Sequence, residues 1–388
     1  MSEYSRLSEK VNSIPPSGIR RFFDIASEMD DVVTLGVGEP DFTTPWHIIE
    51  QAIFSMEKGY TMYTANHGLI ELREKLAAQI MQEENISYNP ENEVLITVGV
   101  SEALDLALRA LINDGDEVLI MEPCYVSYPA CVALAGGKVV EIPTFAADGF
   151  SVKASEIEKR VTPRTKCLLL CYPNNPTGAT IEPEEMQKIA ELAIKHNIIV
   201  LSDEIYSKLL YEGKHRSIAS MPGMLDRTIL LGGFSKAYAM TGWRIGYAAG
   251  PVDIIEAMMK IHQYTMLCAP IMAQKAAIEA LDYGYDQMMN MVRKYNQRRR
   301  LIVDGLNSIG LQCHSPQGAF YVFPNVAHLG IDDETFAERL LYEAKVAVVP
   351  GSVFGPSGKG HIRCSYASSV NELTEAIERM GRFVKKLT

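Results

Sequence analysis

A lysine and an arginine follow an apolar run in "TILLGGFSKAYAMTGWRIGY", residues 228–247. The run predicts a buried strand, and the two cations just beyond it, Lys236 and Arg244, indicate an anion between them. A lysine that is partly desolvated beside another cation has a lowered pKa, and its neutral amine attacks carbonyl groups. The planar guanidinium of an arginine suits a phosphate. The alternative, two surface cations on a loop, fits poorly with the apolar and glycine neighbours.

An aspartate ends a second apolar run, "IIVLSDEIY", at residues 198–206. A buried carboxylate costs free energy unless a cation pairs with it, so we expect Asp203 to need a cationic partner. The alternative role is a helix cap, which the neighbouring Ser202 would fill at lower cost. Tyr206 adds a phenol near the same strand end.

Two more stretches, "TVGVSEAL" (97–104) and "CYPNNPTG" (171–178), follow candidate strands. The first predicts a glycine turn and a helix that begins at Ser101, and a helix N-terminus with a serine hydroxyl binds phosphate. The alternative is that Ser101 is an ordinary N-cap. The second predicts a rigid turn in which Asn175 presents hydrogen-bonding groups, with a plain Asn-Pro turn as the alternative.

Taken together, these stretches supply a phosphate site, a nucleophilic amine, an acid that needs a cation, and a phenol and an amide nearby. Pyridoxal 5′-phosphate needs this set: its phosphate binds a helix N-terminus and an arginine, its aldehyde bonds a lysine, and its ring nitrogen must be held protonated by a carboxylate. We therefore predict pyridoxal phosphate as the cofactor.

Short apolar runs alternate with amphipathic stretches between residues 94 and 250, which predicts a parallel sheet covered by helices on both faces. The candidate strands are 93–98, 117–121, 138–142, 166–172, 198–203 and 228–233. The candidate helices are 101–114 and 183–197, and the second carries apolar residues at helical spacing, namely Met186, Ile189, Ala190, Ala193 and Ile194. In such α/β sheets, ligands bind at the carboxyl ends of the strands.

The pattern changes near residue 286, where a long charged helix, short strands and a last helix predict a smaller α+β domain. The stretch 32–40 is apart from both sets of strands and is expected to cross from an N-terminal arm into the cleft between domains. We expect an arm with part of the small domain at 1–46, a large cofactor-binding domain at 47–285 and a small domain at 286–388.

The motifs "YPNNPTG", "SDEIY" and "SKAYAMTGWRIGY" resemble those of the class I/II aminotransferases, a family of fold-type-I pyridoxal-phosphate enzymes. The resemblance covers nearly the whole chain, from "GVGEPDF" (36–42) to "HIRCSYASS" (361–369). It implies an α/β large domain with a mostly parallel sheet flanked by helices, plus a smaller α+β domain.

The resemblance also implies roles around the cofactor ring. Lys236 would form the Schiff base with the cofactor and then carry the proton between the substrate Cα and the cofactor. Asp203 would hold the pyridinium proton, and Tyr206 and Asn175 would bond the phenolate oxygen of the ring. Tyr125, in "EPCYVSY", would stack on the face of the ring.

The phosphate would be bound by the backbone amides of Val100 and Ser101 and by the hydroxyl of Ser101, with Ser235 and Arg244 as further ligands. Some branches of the family have a serine ligand three residues before the lysine, and this chain has Gly233 there. We therefore expect that the phosphate loses one hydroxyl donor.

At the substrate end, Arg363 resembles the arginine that grips the α-carboxylate, assisted by Asn175 and the backbone of Gly38. The alternative for Arg363 is a surface strand arginine in a weak salt bridge. Tyr63 resembles a tyrosine that reaches the phosphate of the neighbouring subunit, which implies a homodimer with shared active sites. The alternative for Tyr63 is packing in the core or an interface.

Composition and charge narrow the class of protein. The 388 residues carry a formal net charge of −11 at pH 7 and the pI is about 5.3, which argues against a nucleic-acid partner. The N-terminus lacks an apolar signal-peptide core and no run approaches a membrane span, so we expect a cytoplasmic enzyme with no membrane partner. The seven cysteines are scattered, and Cys167 and Cys171 would share one strand face, so no metal site is predicted.

The leading hypothesis is a ping-pong aminotransferase that moves an amino group from an L-amino acid to a 2-oxo acid, with 2-oxoglutarate as the expected acceptor. We expect aromatic or broad specificity, with aspartate as another possible donor. A dicarboxylate would need a second cation, for which Arg20 and Arg21 are candidates.

Other functions remain as alternatives. A C–S β-lyase or synthase of the same fold uses the same cofactor machinery, so the motifs do not separate it from an aminotransferase. A non-enzymatic regulator is disfavoured because the chain begins almost at the family's own N-terminal arm. A dinucleotide-binding dehydrogenase is disfavoured because no G-x-G-x-x-G follows a candidate strand.

Overall fold

A computed structural model describes residues 6–16, 18, 25 and 28–387 of the chain. Arg20 and Arg21, the candidates for a second carboxylate site, lie outside the described residues. The β-strands are β1 (Val33–Thr34), β2 (Val94–Thr97), β3 (Glu117–Glu122), β4 (Lys138–Pro143), β5 (Thr165–Cys171), β6 (Ile199–Asp203), β7 (Thr228–Gly233), β8 (Gly246–Ala249), β9 (Tyr321–Val322), β10 (Val346–Ala347), β11 (Val349–Pro350) and β12 (Ile362–Ser365).

Helices surround these strands in the order that the sequence predicts. The α-helices are α1 (Glu9–Asn12), α2 (Trp46–Glu57), α3 (Ile70–Glu84), α4 (Val100–Leu111), α5 (Ser127–Ala135), α6 (Ala154–Glu158), α7 (Pro183–Lys195), α8 (Val252–Thr265), α9 (Ile271–Tyr283), α10 (Tyr285–Ser308), α11 (Asp333–Ala344) and α12 (Val370–Leu387). Within the described residues, no helix combines the length and the apolar character that crossing a membrane requires.

The central sheet has seven strands in the order β2-β8-β7-β6-β5-β3-β4. Strands β4, β3, β5, β6 and β7 are parallel to one another, whereas β8 is antiparallel to both β7 and β2. The predicted α/β class with a mostly parallel sheet is confirmed, and all six predicted strands are present. Strand β8 was not predicted, because its four residues continue the cation-bearing loop without a turn signal of their own.

Burial on both faces explains why the central strands are apolar throughout. In β5, Leu168 and Leu170 pack in the hydrophobic cluster that contains α7, while Cys167 and Leu169 pack on the opposite face against α4 and α8. Each fully buried aliphatic side chain stabilises the fold by about 1.5–3 kcal/mol relative to its exposed state. The sheet is therefore a rigid platform whose strand ends hold polar groups in fixed positions.

The buried stripe of α7 differs from the prediction in one residue. Met186, Ile189, Ala190 and Ala193 are buried, as predicted. Ile194 is 40% exposed, so its assignment to the buried face was wrong, and Leu192 is buried instead. The stripe is centred near Ile189 and Ala193, which places Leu192 on the protein side and Ile194 on the water side of the helix.

Two small sheets lie apart from the central one. Strands β11, β12 and β9 form an antiparallel sheet, and β1 pairs in parallel with β10. The sequence suggested that the stretch 32–40 stands apart from the other strands. In the structure, its residues Val33 and Thr34 pair with Val346 and Ala347. We retain the division at residues 46 and 285 as a proposal.

Candidate functional site

A cavity of about 800 Å³ opens at the carboxyl ends of the central strands. Its lining includes every predicted site residue except Tyr63, namely Gly38, Val100, Ser101, Tyr125, Asn175, Asp203, Tyr206, Ser235, Lys236, Arg244 and Arg363. Tyr63 lies outside the cavity and is 79% exposed. The fold thus brings together residues from seven separate stretches of the sequence at the edge where α/β sheets bind ligands.

Asp203 ends β6 and is buried, but no side-chain cation of the described residues forms an ion pair with it. Its carboxylate accepts hydrogen bonds from the Tyr128 hydroxyl at 2.7 Å and from the Ile205 N–H at 3.2 Å. Burial raises the pKa of Asp203 to about 6. The cationic partner that the sequence led us to expect is therefore left for a ligand to supply.

The adjacent carboxylate, Glu204, is satisfied within the protein. It accepts hydrogen bonds from Ser202 Oγ at 2.9 Å and Ser217 Oγ at 2.6 Å, and it pairs with His215 Nε2 at 2.8 Å. Burial alone would raise the pKa of Glu204, but His215 and the hydroxyl donors lower it overall. Two neighbouring buried acids thus differ: Glu204 has its partners, and Asp203 faces the cavity without a cation.

Lys236 lies in the loop after β7, and its Nζ donates a hydrogen bond to the Gly38 carbonyl at 2.7 Å. Burial, reinforced by the charges of Arg363 and Arg244, lowers the pKa of Lys236 to about 8, although Glu39 acts in the opposite direction. A substantial fraction of this amine is therefore neutral near pH 7–8, the form that reacts with a carbonyl.

The turn between β2 and α4 forms one end of the cavity. Gly99, at φ 76°, is the N-cap of α4, so the helix begins at Val100 and the N-cap alternative for Ser101 was wrong. The first N–H groups of a helix have no carbonyl partner within it, which leaves those of Val100 and Ser101 available to an anion. A Cβ at Gly99 would lie 2.6 Å from Arg244 Nη2, so the guanidinium rests against this turn.

Packing explains why residue 233 is a glycine. A Cβ at Gly233 would lie 2.9 Å from Val100 Cγ2 and 3.3 Å from both the Gly246 Cα and Ile205 Cδ1. A serine there would have to displace the Val100 methyl group and would press against Gly246 and Ile205. Ser235, which is buried and lines the cavity, is the hydroxyl nearest in sequence to Lys236.

Arg363 forms the opposite end of the cavity. It is only 2% exposed, which excludes the surface salt-bridge alternative. Its Nη1 donates to Asn175 Oδ1 at 3.0 Å and its Nη2 to the Gly36 carbonyl at 2.6 Å, while its buried Nε has no partner. The guanidinium also lies over the Tyr321 ring, 4.6 Å from the centroid.

Two tyrosines of the site were not identified from the sequence. Tyr128 bonds Asp203, and its ring meets that of Tyr125 edge to face at 5.7 Å. The hydroxyl of Tyr321 is 2.8 Å from that of Tyr206, and burial raises the pKa of Tyr321 to about 12. Tyr128 follows Tyr125 in the motif "EPCYVSY", but nothing in the sequence around Tyr321 indicated that β9 meets the segment after β6 that carries Tyr206.

The donor set fits pyridoxal phosphate. A buried carboxylate without a side-chain cation, an amine of lowered pKa, and a turn with free N–H groups beside an arginine lie in one cavity. These are the needs of its ring nitrogen, its aldehyde and its phosphate. Among the described residues, no group of histidine, cysteine or acidic side chains could hold a metal ion.

Comparisons with known proteins agree with this site. The family model of aminotransferases of class I and II matches residues 30–380. A Bacillus subtilis relative, the putative aminotransferase YugH, is 54% identical over 99% of this chain and 100% of its own. The aspartate aminotransferase of Pyrococcus abyssi is 44% identical over 98% of this chain and 100% of its own. The crystal structure of an aromatic aminotransferase from Pyrococcus horikoshii has a TM-score of 0.91 at 43% identity, covering 95% of this chain and 100% of that one.

The contacts around Gly233 predict that Gly233→Ser lowers the free energy of unfolding by about 1–3 kcal/mol, because an added side chain overpacks the strand against the turn between β2 and α4. Urea unfolding measures this change. Gly242→Ser is the matched control, since a Cβ at Gly242 meets no atom within 4 Å. A stable Gly233→Ser variant that binds pyridoxal phosphate more tightly than the parent would contradict the packing explanation.

The lowered pKa of Lys236 predicts how the apoprotein combines with pyridoxal phosphate. Below about pH 8 most of the amine is protonated and unreactive, so the rate should rise roughly fivefold from pH 7 to 8 and less than twofold from 8 to 9. Stopped-flow absorbance measures this rate, with Nα-acetyl-lysine as the unperturbed reference. Arg363→Met should move the midpoint to higher pH, and a midpoint near 10.5 in the parent would show that burial does not act on this lysine.

Proposed function

We propose that this chain, which belongs to the aminotransferases of class I and II, moves the amino group of an L-amino acid to 2-oxoglutarate in the two half-reactions of a ping-pong cycle. The observation that carries the proposal is the presence of Lys236, Asp203 and Arg363 in one cavity. Each has a chemical capacity that the protein itself leaves unused: a partly neutral amine, an acid without a cation, and a guanidinium with a free Nε.

Enzymes of this family depend on pyridoxal phosphate, which supplies an aldehyde that condenses with amines and a ring that accepts the electrons of a Cα–H bond. Asp203 would keep the ring nitrogen protonated, because a cation beside this buried carboxylate favours its ionised form. Tyr128, by donating to Asp203, fixes the direction of the carboxylate. Tyr206 and Asn175 would bond the ring oxygen, and Tyr125 would stack on the ring face.

Lys236 would hold the cofactor in the resting enzyme and then act on the substrate as a base. Burial keeps its pKa near 8, so once displaced it would be able to take a proton from the substrate Cα and deliver it to C4′ of the cofactor. In this structure its Nζ contacts the Gly38 carbonyl, which shows that the side chain reaches toward the side of the cavity where Arg363 lies.

The two ends of the cavity would bind the two anions of the reaction. Val100, Ser101, Ser235 and Arg244 would hold the cofactor phosphate. Arg363 would bind the substrate α-carboxylate with two parallel hydrogen bonds, exchanging one or both of its present acceptors for the carboxylate oxygens. Asn175 and the backbone of Gly38 would assist it.

The cavity favours substrates with aromatic or other apolar side chains. Among the described residues, its cations are Lys236, Arg244 and Arg363, and each already has a proposed role. Ile14 and Pro15, near the N-terminus, also line it and offer apolar contact. Relatives are named aspartate as well as aromatic-amino-acid aminotransferases, so we propose aromatic or broad specificity, with aspartate served only if a further cation reaches the cavity.

We further propose a cytoplasmic homodimer in which Tyr63 reaches the partner's phosphate site. Exposed apolar side chains occur on two segments that are joined by a hydrogen bond from Asn66 Nδ2 to the Leu267 carbonyl at 2.9 Å. They are Met62 and Tyr63 on one segment and Tyr264, Met266 and Leu267 on the other. A second copy of the chain would cover such a surface. All seven cysteines are free, which is typical of the reducing cytoplasm.

Steady-state assays with a panel of amino donors and 2-oxoglutarate test the activity. We expect glutamate formation with kcat/KM at least tenfold higher for phenylalanine or tyrosine than for aspartate. Arg363→Gln should raise the KM for the donor about a hundredfold, about 3 kcal/mol, while the absorbance of the bound cofactor is kept. Release of pyruvate from cystathionine without an acceptor, in place of amino transfer, would show a C–S β-lyase.

A hybrid dimer tests whether Tyr63 serves the neighbouring subunit. One chain carries Lys236→Ala and the other Tyr63→Phe, so a shared arrangement leaves one site with both native side chains. That site should bind pyridoxal phosphate as tightly as the parent, whereas the Tyr63→Phe homodimer should bind it about tenfold more weakly. If the hybrid's working site is as weak as the Tyr63→Phe homodimer, Tyr63 acts within its own chain and the shared arrangement is wrong.

A further inference from the structure

A histidine and a glutamate form a buried pair behind the turn that faces the cavity. His262, in α8, places its Nδ1 2.7 Å from Glu102 Oε1, in the first turn of α4. The imidazole is fully buried and the Glu102 side chain is 11% exposed. Neither residue lines the cavity, so neither would touch the cofactor.

Glu102 ties the start of α4 back to the end of β2. Its second oxygen accepts a hydrogen bond from the Val98 N–H at 2.5 Å. Glu102 is the third residue of the helix after the Gly99 cap, and its carboxylate reaches one residue beyond that cap, whereas in a capping box it would bind the N–H of the cap residue itself. The carboxylate thus spans the residues between Val98 and its own Cα, which are Gly99, Val100 and Ser101.

The geometry of this turn leaves little tolerance. A Cβ at Gly246 would lie 2.7 Å from both the Gly99 carbonyl carbon and the Val100 nitrogen, so β8 packs directly against the turn. The N–H groups of Val100 and Ser101 must point into the cavity to bind an anion. A small rotation of the turn would direct them away, and Glu102 restrains it from behind, together with Thr97, whose Oγ1 donates to the Gly99 carbonyl at 3.0 Å.

His262 has no other polar function in the described structure. Its Nε2 is buried without a partner, and its Nδ1 contact with Glu102 is its one side-chain hydrogen bond. Burying an imidazole costs free energy that an apolar side chain of the same size would not cost. The hydrogen bond that offsets this cost is made to Glu102, and Glu102 in turn binds the Val98 N–H at the start of the turn.

We propose that His262 is a positioning residue for the cofactor phosphate: it fixes the Glu102 carboxylate on the Val98 N–H and so keeps the N–H groups of Val100 and Ser101 directed into the cavity. The inference rests on the proposed assignment of the phosphate to this turn. Helix α8 contributes no residue to the cavity lining, yet through His262 it would take part in cofactor binding.

The test compares two probes, pyridoxal phosphate and pyridoxal, which lacks the phosphate. Binding to the apoprotein is measured by absorbance titration. His262→Leu should raise the dissociation constant of pyridoxal phosphate about tenfold, about 1.4 kcal/mol, and leave that of pyridoxal within twofold. His262→Asn, whose Nδ2 replaces the Nδ1 donor, should restore the affinity for pyridoxal phosphate.

Controls separate this role from general damage. His47→Asn alters a comparable His–Glu pair, in which His47 Nδ1 lies 3.0 Å from Glu279 Oε1 away from the cavity, and should change neither affinity. If His262→Leu does not fold, Glu102→Met removes the same restraint and should give the same selective loss. An equal loss for both probes, or no loss for either, would overturn the inference.

A separate variant tests the assignment on which the inference rests. Ser101→Ala removes a proposed phosphate ligand and should weaken only pyridoxal phosphate. If Ser101→Ala changes neither affinity, the phosphate assignment within the proposed function is wrong. If Ser101→Ala has the expected effect and His262→Leu does not, the phosphate assignment stands and the role of His262 is wrong.

Discussion

The carboxylate of Asp203 is removed from water at the end of a central strand, and no described side-chain cation compensates its charge. In a folded protein, such a group either becomes protonated or obtains a cation, and its raised pKa shows the first tendency in the free chain. In the function we propose, the pyridinium of the cofactor would be that cation. Tyr128 orients the Asp203 carboxylate toward the cavity. The neighbouring Glu204 already has its own hydroxyl and imidazole partners, so it does not need the same cation.

Cofactor and substrate are both anionic, and the fold separates the cations that would bind them. Arg244 rests on the turn at the start of α4, and Arg363 comes from β12 in the small antiparallel sheet. Lys236 lies between them in the cavity, where burial and the two arginines keep its amine partly neutral. The positive charge that would attract the two anions therefore also lowers the pKa of Lys236. One arrangement of charges would thus serve both binding and reactivity.

Much of the fold and of the site is predictable from the sequence, because the apolar strands and the polar groups at their ends are local patterns. Lys236, Asp203 and Asn175 each follow a recognisable buried run, and the structure gathers them in one cavity. Tyr321 was missed because its role depends on β9 meeting the segment after β6, a contact between distant parts of the chain. Strand β8 was missed because four residues after a loop carry little periodic signal, and the cap at Gly99 because it depends on a positive φ that a sequence does not display.

The late position of the antiparallel strand β8 in the sequence determines when the central sheet can be completed during synthesis. Strand β2 lies at the edge of the central sheet and, within the described residues, pairs only with β8, although β2 is the first and β8 the last strand of this sheet along the chain. The five parallel strands from β3 to β7 can associate as they leave the ribosome, but β2 must wait until Ala249 has emerged. The turn after β2 is therefore among the last parts of the sheet to be fixed. If this turn holds the cofactor phosphate, as we propose, a nascent chain completes the phosphate site only after the strands that carry Asp203 and precede Lys236 are in place.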